Sequence, residues 1–205
     1  MDFEPKDGHW QLAAGTSVAG LRKLPDLQGP IDDAFTSAFV VVPPDKASAS
    51  AVREAFYQRE LAYTARRWRE LFRGDLPVKH ASELTAEDLK TKNLILFGEP
   101  ETNSLMAKLL ARTVITWRAN ELKLGAKSWH GGSIVPLAIY PNPDQPGRYI
   151  VLNSGPTIRE KTDASNALQT PQLPDWAVLN VSGAATDSSA APILDAGFFN
   201  EQWLP

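Results

Sequence analysis

The sequence contains no cysteine and only three histidines in 205 residues. Without cysteine there are no disulfides, no thiol nucleophile and no cysteine-ligated zinc. His9, His80 and His130 lie far apart along the chain, so the spacing by which two histidines on one helix bind zinc does not occur. We therefore expect no metal site and no bound cofactor.

Long hydrophobic runs are also missing. The longest apolar stretches, near 39–42 and 134–140, fall far short of the roughly 18 residues that span a bilayer, so the sequence predicts no membrane span. The first ten residues show neither the basic nor the apolar part of a secretory signal peptide. The sequence does not determine the compartment.

Positive charge is missing from the last part of the chain. All 21 lysines and arginines lie at or before Lys161, and the net charge is −3. A near-neutral body followed by an acidic end does not offer the basic surface that nucleic acids require, so we expect no nucleic-acid partner. The arginines between Arg53 and Arg73 are interspersed with glutamates, which predicts a solvated helix face.

The composition is typical of a folded domain. Apolar residues make up 43% and charged residues 22% of the chain, and its length suits one domain with a sizeable core. Residues 24–30 form an irregular connector that contains proline and glycine breakers. We expect residues 1–35 to be a lead-in or linker and residues 36–205 to form a single α/β domain.

Hydrophobic periodicity predicts alternating strands and helices. A β-branched run closed by prolines predicts a buried central strand at 39–42, and the uninterrupted amphipathic stretch 50–73 predicts a long helix with Gly74 at its C′ position. Thr85 begins a capping box, and Pro136 favours an edge position for its strand. The other predicted elements are strands at 93–98, 114–117, 134–140, 148–153 and 176–181, a helix at 104–112 and a helical turn at 164–168. The strands at 134–140 and 148–153 are expected to form an antiparallel hairpin.

These elements predict a three-layer αβα sandwich with helices on both faces of a mixed, mostly parallel, Rossmann-like sheet and with a C-terminal hairpin. We expect the parallel strands in the middle of the sheet. Such sheets bind ligands beyond the carboxyl ends of their strands.

Polar residues follow two predicted strands at the point where each strand ends, and a carboxylate pair precedes the first strand. The candidate ligand-binding residues are Gly98, Glu99, Asn103, Ser104, Asn153, Ser154, Asp32 and Asp33. Glycine-rich nucleotide motifs are absent and Glu99 would repel phosphate, so hydroxyls, amines or a cation fit this site better. The alternative is that Thr102 or Asn103 only caps a helix and that the two aspartates cap a turn.

Serine-hydrolase chemistry needs a nucleophile, a base and an oxyanion hole. Ser17 lies in Gly15-Thr-Ser-Val-Ala19, which departs from the G-x-S-x-G nucleophile elbow by its closing alanine. His130-Gly-Gly is similar to an oxyanion loop, and Ser154 follows it along the chain. A small independent serine hydrolase or esterase that uses His130 with Ser154 or Ser17 is the alternative function.

Six tryptophans are many for this length. Trp68 falls at helical spacing and is expected in the core, whereas Trp129 and Trp203 lie in less regular segments and are candidates for surface contacts. A structural or assembly role would predict an apolar patch that includes Phe198, Phe199 and Trp203 and that a partner buries.

Six stretches of the sequence resemble one region of known proteins. They are LQGPIDDAF (27–35), NLILFGEPETNS (93–104), YPNP (140–143), YIVLNSG (149–155), LPDWA (173–177) and DAGFFNEQW (195–203). Across most of residues 20–203 they resemble the C-terminal region that follows the α/β-hydrolase domain in large bacterial prolyl-oligopeptidase-like and esterase-like proteins. The resemblance implies an accessory α/β domain, often in exported or periplasmic proteins, while the catalytic triad belongs to the neighbouring domain. No catalytic serine, aspartate or histidine of that domain has a matching position here.

The residues and the resemblance favour the same function, a non-catalytic accessory domain of a larger secreted-type hydrolase. Two roles stay open for it. The domain would either dock against the α/β-hydrolase catalytic domain, in cis or in trans, or hold a carbohydrate-type ligand.

Overall fold

A computed structural model describes residues 3–12, 20–157, 173–183 and 191–205. The strands are β1 (Phe3–Lys6), β2 (His9–Leu12), β3 (Phe39–Val42), β4 (Asn93–Leu96), β5 (Ile115–Arg118), β6 (Glu121–Leu124), β7 (Lys127–His130), β8 (Ile134–Asn142), β9 (Gln145–Leu152), β10 (Trp176–Asn180) and β11 (Ile193–Gly197). The helices are α1 (Ala51–Phe72), α2 (Ala86–Thr91) and α3 (Ser104–Leu110). The helical turn predicted at 164–168 lies outside the described residues. None of the described helices has the length and apolar character that a bilayer crossing requires.

Six strands form the central sheet in the order β11-β10-β8-β9-β4-β3. β3, β4 and β9 are parallel to one another, whereas β8, β10 and β11 join them through antiparallel pairs. The parallel strands therefore lie at one side of the sheet and not in its middle, contrary to our expectation. The antiparallel hairpin predicted from the sequence is confirmed as β8 and β9.

The predicted three-layer αβα, Rossmann-like sandwich is wrong. Within the described residues 25% are helical and 32% lie in strands, and α1 is the one long helix. α1 covers one face of the sheet, where the Trp68 ring contacts the Phe39 ring at 5.0 Å between centroids. On the other face Trp129 of β7 packs against Trp176 of β10, so a three-stranded antiparallel sheet of β5, β6 and β7 takes the place of a helical layer.

The reason for this second sheet lies in the pattern of residues 115–130. Side chains of β5 and β6 alternate between buried and less buried positions, and this period of two suits strands with one covered face. Gly125 has a left-handed backbone with φ of 59° and turns the chain between β6 and β7. Strands this short and this closely connected leave no room for a crossover helix.

The ends of α1 are set by local backbone groups. Ser50 caps the helix by accepting a hydrogen bond from the Arg53 N–H at 3.4 Å. At the other end Arg73 adopts the left-handed conformation, with φ of 58°, and its N–H donates to the Arg69 carbonyl. Gly74 follows this C-cap residue and so occupies the predicted C′ position, while the left-handed residue is Arg73.

β3 is the last strand of the sheet and not a central one. It is nevertheless buried, because the chain after α1 returns along its outer edge. The Val41 N–H donates to the Pro77 carbonyl at 2.8 Å, and the Lys79 N–H donates to the Val41 carbonyl at 3.0 Å. This covered edge is why a terminal strand can be as apolar as a central one.

Pro136 lies in β8, which is an interior strand and not an edge strand as its proline suggested. The pair of β8 and β9 residues nearest to Pro136 is Ala138 with Leu152, the last residue of β9. Pro136 therefore has no partner residue in β9. On the β10 side, Ser133, just before β8, accepts from the Val181 N–H, and the Ile139 N–H donates to the Asp175 carbonyl. Backbone groups of successive residues point to opposite sides of a strand, so the nitrogen of the even-numbered Pro136 faces the β9 side. No ladder hydrogen bond is lost there.

The segment before β3 contributes to the same core as the sheet. Residues 31–35 form a short 3-10 turn, and Leu27, Ile31 and Ala34 are buried in the central cluster. The division into a lead-in of residues 1–35 and a domain of residues 36–205 stays a prediction.

Candidate functional site

The structure brings the ends of β4 and β9 together. The Gly98 N–H donates to the Asn153 side-chain carbonyl at 2.8 Å, and the Asn153 N–H donates to the Leu96 carbonyl at 2.9 Å. Gly98 has a φ of 106°, and a Cβ there would lie 2.8 Å from the Thr102 hydroxyl and 2.9 Å from Pro44. Only glycine fits this turn. The Asn153 amide donates in addition to the carbonyl of Pro136 at 3.4 Å.

Asn103 caps α3, as the alternative interpretation of the sequence proposed. Its side-chain oxygen accepts from the Met106 N–H at 3.0 Å. Its amide group donates to the carbonyls of Phe97 at 3.0 Å and Val42 at 3.4 Å. The residue is fully buried, so its amide serves the turn between β4 and α3. Ser104, next in the chain, donates from its N–H and its hydroxyl to Asp45.

Glu99 forms a buried ion pair. Its Oε2 lies 2.8 Å from Nη1 of Arg53, and the two side chains are only 5% and 3% exposed. The Ser48 hydroxyl donates to the other carboxylate oxygen, and Nη2 of Arg53 donates to the Gly131 carbonyl at 3.2 Å. The carboxylate is therefore directed into the protein, and the prediction that Arg53 belongs to a solvated helix face is wrong.

Tyr57 adds a phenol to this buried pair. Its hydroxyl lies 3.5 Å from Oε2 of Glu99. Burial raises the pKa of Tyr57 well above its usual value, and the Glu99 charge raises it further, while Arg53 acts in the opposite direction. The phenol thus stays protonated and neutral at physiological pH.

Sequence reasoning missed Arg53, Tyr57 and Ser48 as partners of Glu99. The signal in the sequence is helical spacing, since Arg53 and Tyr57 are four residues apart and share a helix face with Phe56. Both Tyr57 and Phe56 are buried. A charged residue on the apolar stripe of an amphipathic helix indicates a buried partner.

Asp32 and Asp33 form hydrogen bonds with other residues than the remaining candidates. Asp32 accepts hydrogen bonds from the N–H and the hydroxyl of Thr157. Asp33 accepts a hydrogen bond from the Tyr149 hydroxyl. Tyr149 lies within β9, whereas Asn153 follows the last residue of that strand. Burial and the Asp33 carboxylate raise the pKa of Tyr149, so this hydroxyl also stays protonated.

Ser154 follows the end of β9, whereas His130 is the last residue of β7. Ser154 is 5% exposed, and its hydroxyl donates to the Gly155 carbonyl at 2.8 Å. The residue lies on the face of the sheet that α1 covers. His130 lies on β7, with Nδ1 4.0 Å from the Glu121 carboxylate. Within the described residues no hydrogen bond joins a serine hydroxyl to His130, and Ser17 lies outside those residues.

Of the two tryptophans expected at the surface, one is buried and the other is partly buried. Trp203 is fully buried and its ring contacts those of Tyr140 and Phe199. Phe199 is buried as well, whereas Phe198 is 67% exposed. Trp129 packs against another tryptophan ring, as described above. The predicted apolar patch of Phe198, Phe199 and Trp203 is therefore wrong for two of its three members.

A cavity of about 220 Å³ lies between α1 and the sheet. Its walls include Phe56 and Trp68 from the helix and Leu137 and Leu179 from the sheet. Ser154, one of the predicted site residues, also lines it.

No family model, no curated protein and no solved structure matches this chain. The resemblance to the region after the hydrolase domain of prolyl-oligopeptidase-like proteins therefore stays a prediction.

Proposed function

We propose that this chain is a non-catalytic accessory module that docks onto an α/β-hydrolase catalytic domain, in cis or in trans. The observation that carries the proposal is the state of the strand-end residues. Glu99, Asn103 and Asn153 are buried and spend their polar atoms on internal partners. A catalytic group needs a polar atom that can reach substrate, and these side chains have none to offer.

The outer strand β11 supports docking as the role of the module. The opposite edge of the sheet is covered by residues 77–79, but no strand pairs with the outer side of β11 in the described ranges. Leu194 is 47% exposed and Phe198 is 67% exposed. An apolar edge strand is a template for pairing with another chain. We call Leu194, Phe198 and the outer edge of β11 the β11 edge.

Docking is favoured over a carbohydrate-type ligand. Sugar rings commonly pack their C–H faces on exposed aromatic rings. Of the two tryptophans expected to supply such rings, Trp203 is buried and Trp129 is partly buried, and the exposed Trp10 belongs to the β1–β2 hairpin. The polar residues expected to bind sugar hydroxyls are occupied by backbone and side-chain partners. The β11 edge offers apolar area and backbone groups, which suit a protein surface.

The proposal is tested with the purified chain and the purified α/β-hydrolase domain of a prolyl-oligopeptidase-like protein. We expect sedimentation to show a one-to-one complex. Leu194→Glu with Phe198→Glu should weaken it at least tenfold, because charges would enter an apolar contact. Val52→Glu with Leu89→Glu is the matched control, since these side chains are also exposed but lie on helices; this pair should change the affinity less than twofold.

A fluorophosphonate probe tests the non-catalytic part separately. We expect no labelling of the chain, because Ser154 has no base beside it. Labelling that disappears in Ser154→Ala or Ser17→Ala would contradict the proposal and favour the serine-hydrolase alternative. Absence of any complex, or equal weakening by both pairs of substitutions, would contradict docking through the β11 edge.

A further inference from the structure

The cavity between α1 and the sheet has the character of a ligand site. Its volume of about 220 Å³ exceeds the roughly 150 Å³ of an apolar cavity that binds benzene. Five of the side chains that line it are apolar and are buried or packed on the core, namely Phe56, Trp68, Leu137, Leu179 and Leu173. A cavity of this size and lining accepts a six-membered ring with a short substituent.

Two charged side chains of the wall have partners on α1: Glu60 lies near Arg59, and Arg67 pairs with Glu70 at 3.0 Å. The hydroxyls of the wall limit the ligand further. The Ser154 hydroxyl uses its single proton to donate to the Gly155 carbonyl, so toward a ligand it acts as an acceptor. The Thr157 hydroxyl already donates to Asp32 and accepts from the Leu173 N–H at 3.4 Å. A ligand that satisfies Ser154 must therefore bring a donor, such as a hydroxyl.

The backbone around Ser154 is held in place for this role. Asp32 binds the N–H and hydroxyl of Thr157, and Gly155 lies so close to α1 that a Cβ would be 2.3 Å from the Thr64 hydroxyl. The segment 154–157 therefore has a defined position below α1. Preorganised walls reduce the cost of ordering upon binding.

We propose that this cavity binds a small neutral ligand made of an apolar ring and one hydroxyl, which donates to the oxygen of Ser154. This inference is independent of docking, because the polar contact comes from the end of β9 and, although Ile193 of β11 also lines the cavity, Leu194 and Phe198 of the β11 edge do not. The binding of such a ligand requires no chemical step.

The test uses p-cresol and toluene, which share a methylated ring and differ in one hydroxyl. Binding is measured by ligand-observed NMR and by the ligand-dependent rise of the melting temperature. We expect both to bind and p-cresol to bind about fivefold more tightly, the effect of one neutral hydrogen bond. Ser154→Ala should remove this advantage and leave toluene within twofold.

A cavity-filling variant locates the site. Ala191 is buried and lines the cavity, so Ala191→Leu should abolish binding of both compounds. Ala62→Leu is the matched control, since Ala62 lies on the exposed side of α1, and it should bind both compounds like the unaltered chain. Circular dichroism verifies that each variant is folded.

Two results would overturn the inference. If neither compound binds the unaltered chain, or if Ala191→Leu binds as well as Ala62→Leu, the cavity is not a ligand site. If p-cresol and toluene bind equally and Ser154→Ala changes neither, the hydroxyl assignment fails. Loss of docking in the β11 edge variant has no bearing on these results, so the two proposals fail separately.

Discussion

Replacing Glu99 by alanine is expected to destabilise the fold by about 3–5 kcal/mol, the typical cost of removing one partner of a buried ion pair. The substitution removes the carboxylate that lies 2.8 Å from the Arg53 guanidinium. It also removes the acceptor of the Ser48 hydroxyl. The Gly131 carbonyl would remain as a partner of the guanidinium, so one side of a buried cation would lose its compensation.

The magnitude follows from burial. The two side chains are 3% and 5% exposed, so water cannot replace the lost carboxylate. Nε of Arg53 already has no hydrogen-bond partner among the described residues. A solvent-exposed pair would cost only about 0–1 kcal/mol to break, and the difference between the two figures separates a buried pair from a surface pair.

Urea unfolding followed by circular dichroism measures the effect. Glu101→Ala is the control, because Glu101 is exposed in the same turn, and we expect a change within about 0.5 kcal/mol. Arg53→Leu combined with Glu99→Leu should be less destabilising than either single change, since no unpaired charge remains. Glu99→Gln keeps an acceptor for Ser48 and should fall between Glu99→Ala and the unaltered chain.

A loss below about 1 kcal/mol for Glu99→Ala would refute this reasoning, because a cost that small belongs to exposed pairs. So would strict additivity of the two leucine substitutions, since it would mean that the two side chains do not interact.

Three further predictions follow from other buried groups. Asp175→Ala should cost about 3 kcal/mol, because Asp175 is buried and holds a lysine at 2.7 Å, and it should shift the fluorescence of buried Trp203 to the red. The pKa values of Tyr57 and Tyr149 are raised in the folded state, so both phenols should stay protonated at pH 11 and their share of the absorbance at 295 nm should appear only on unfolding. The free energy of unfolding is then unaffected below about pH 10. Above that pH the phenols ionise only in the unfolded chain, so it falls by about 1.4 kcal/mol per pH unit for each phenol. Two lysine hydrogen bonds lower the pKa of Asp88 in the folded state. The unaltered chain should therefore be more stable than Asp88→Asn, and this difference in the free energy of unfolding should be complete above about pH 4 and shrink as the pH falls further.

Each of these predictions has a result that would contradict it. Asp195→Ala is the control for Asp175, because it breaks an exposed lysine pair, and equal losses in the two variants would mean that burial of Asp175 contributes nothing. Full ionisation of all four tyrosines in the folded protein at pH 11 would contradict the raised pKa values. A difference between Asp88→Asn and the unaltered chain that does not change between pH 5 and pH 2 would show that the charge of Asp88 is not responsible.

Local sequence signals predicted the elements that depend on neighbouring residues. The absence of breakers between Ser50 and Arg73 predicted α1, and Thr85 and Asn103 cap their helices as expected. These features follow from backbone hydrogen bonds within one or two turns. The β8–β9 hairpin was equally accessible, because a polar turn with prolines separates two apolar runs.

Only the tertiary structure decided which residues meet across the sheet. Pairing order places β3 at one edge and lets Pro136 lie in an interior strand, and neither follows from the residues around it. Asp32 binds Thr157 beyond the end of β9 and Asp33 binds Tyr149 within that strand, and neither partner follows from the residues around the two carboxylates. Arg53 is buried because a glutamate from a turn 46 residues away is within reach of it.

By itself, the sequence determined that this is a cysteine-free α/β chain with one long amphipathic helix, a central hairpin and polar residues at two strand ends. The tertiary structure decided that Glu99, Asn103 and Asn153 are buried and hydrogen-bonded to internal partners, whereas Ser104 is exposed, and that a cavity lies between α1 and the sheet. The physical reason is that propensity and capping act over a few residues, whereas burial and charge pairing depend on contacts between residues far apart in the chain.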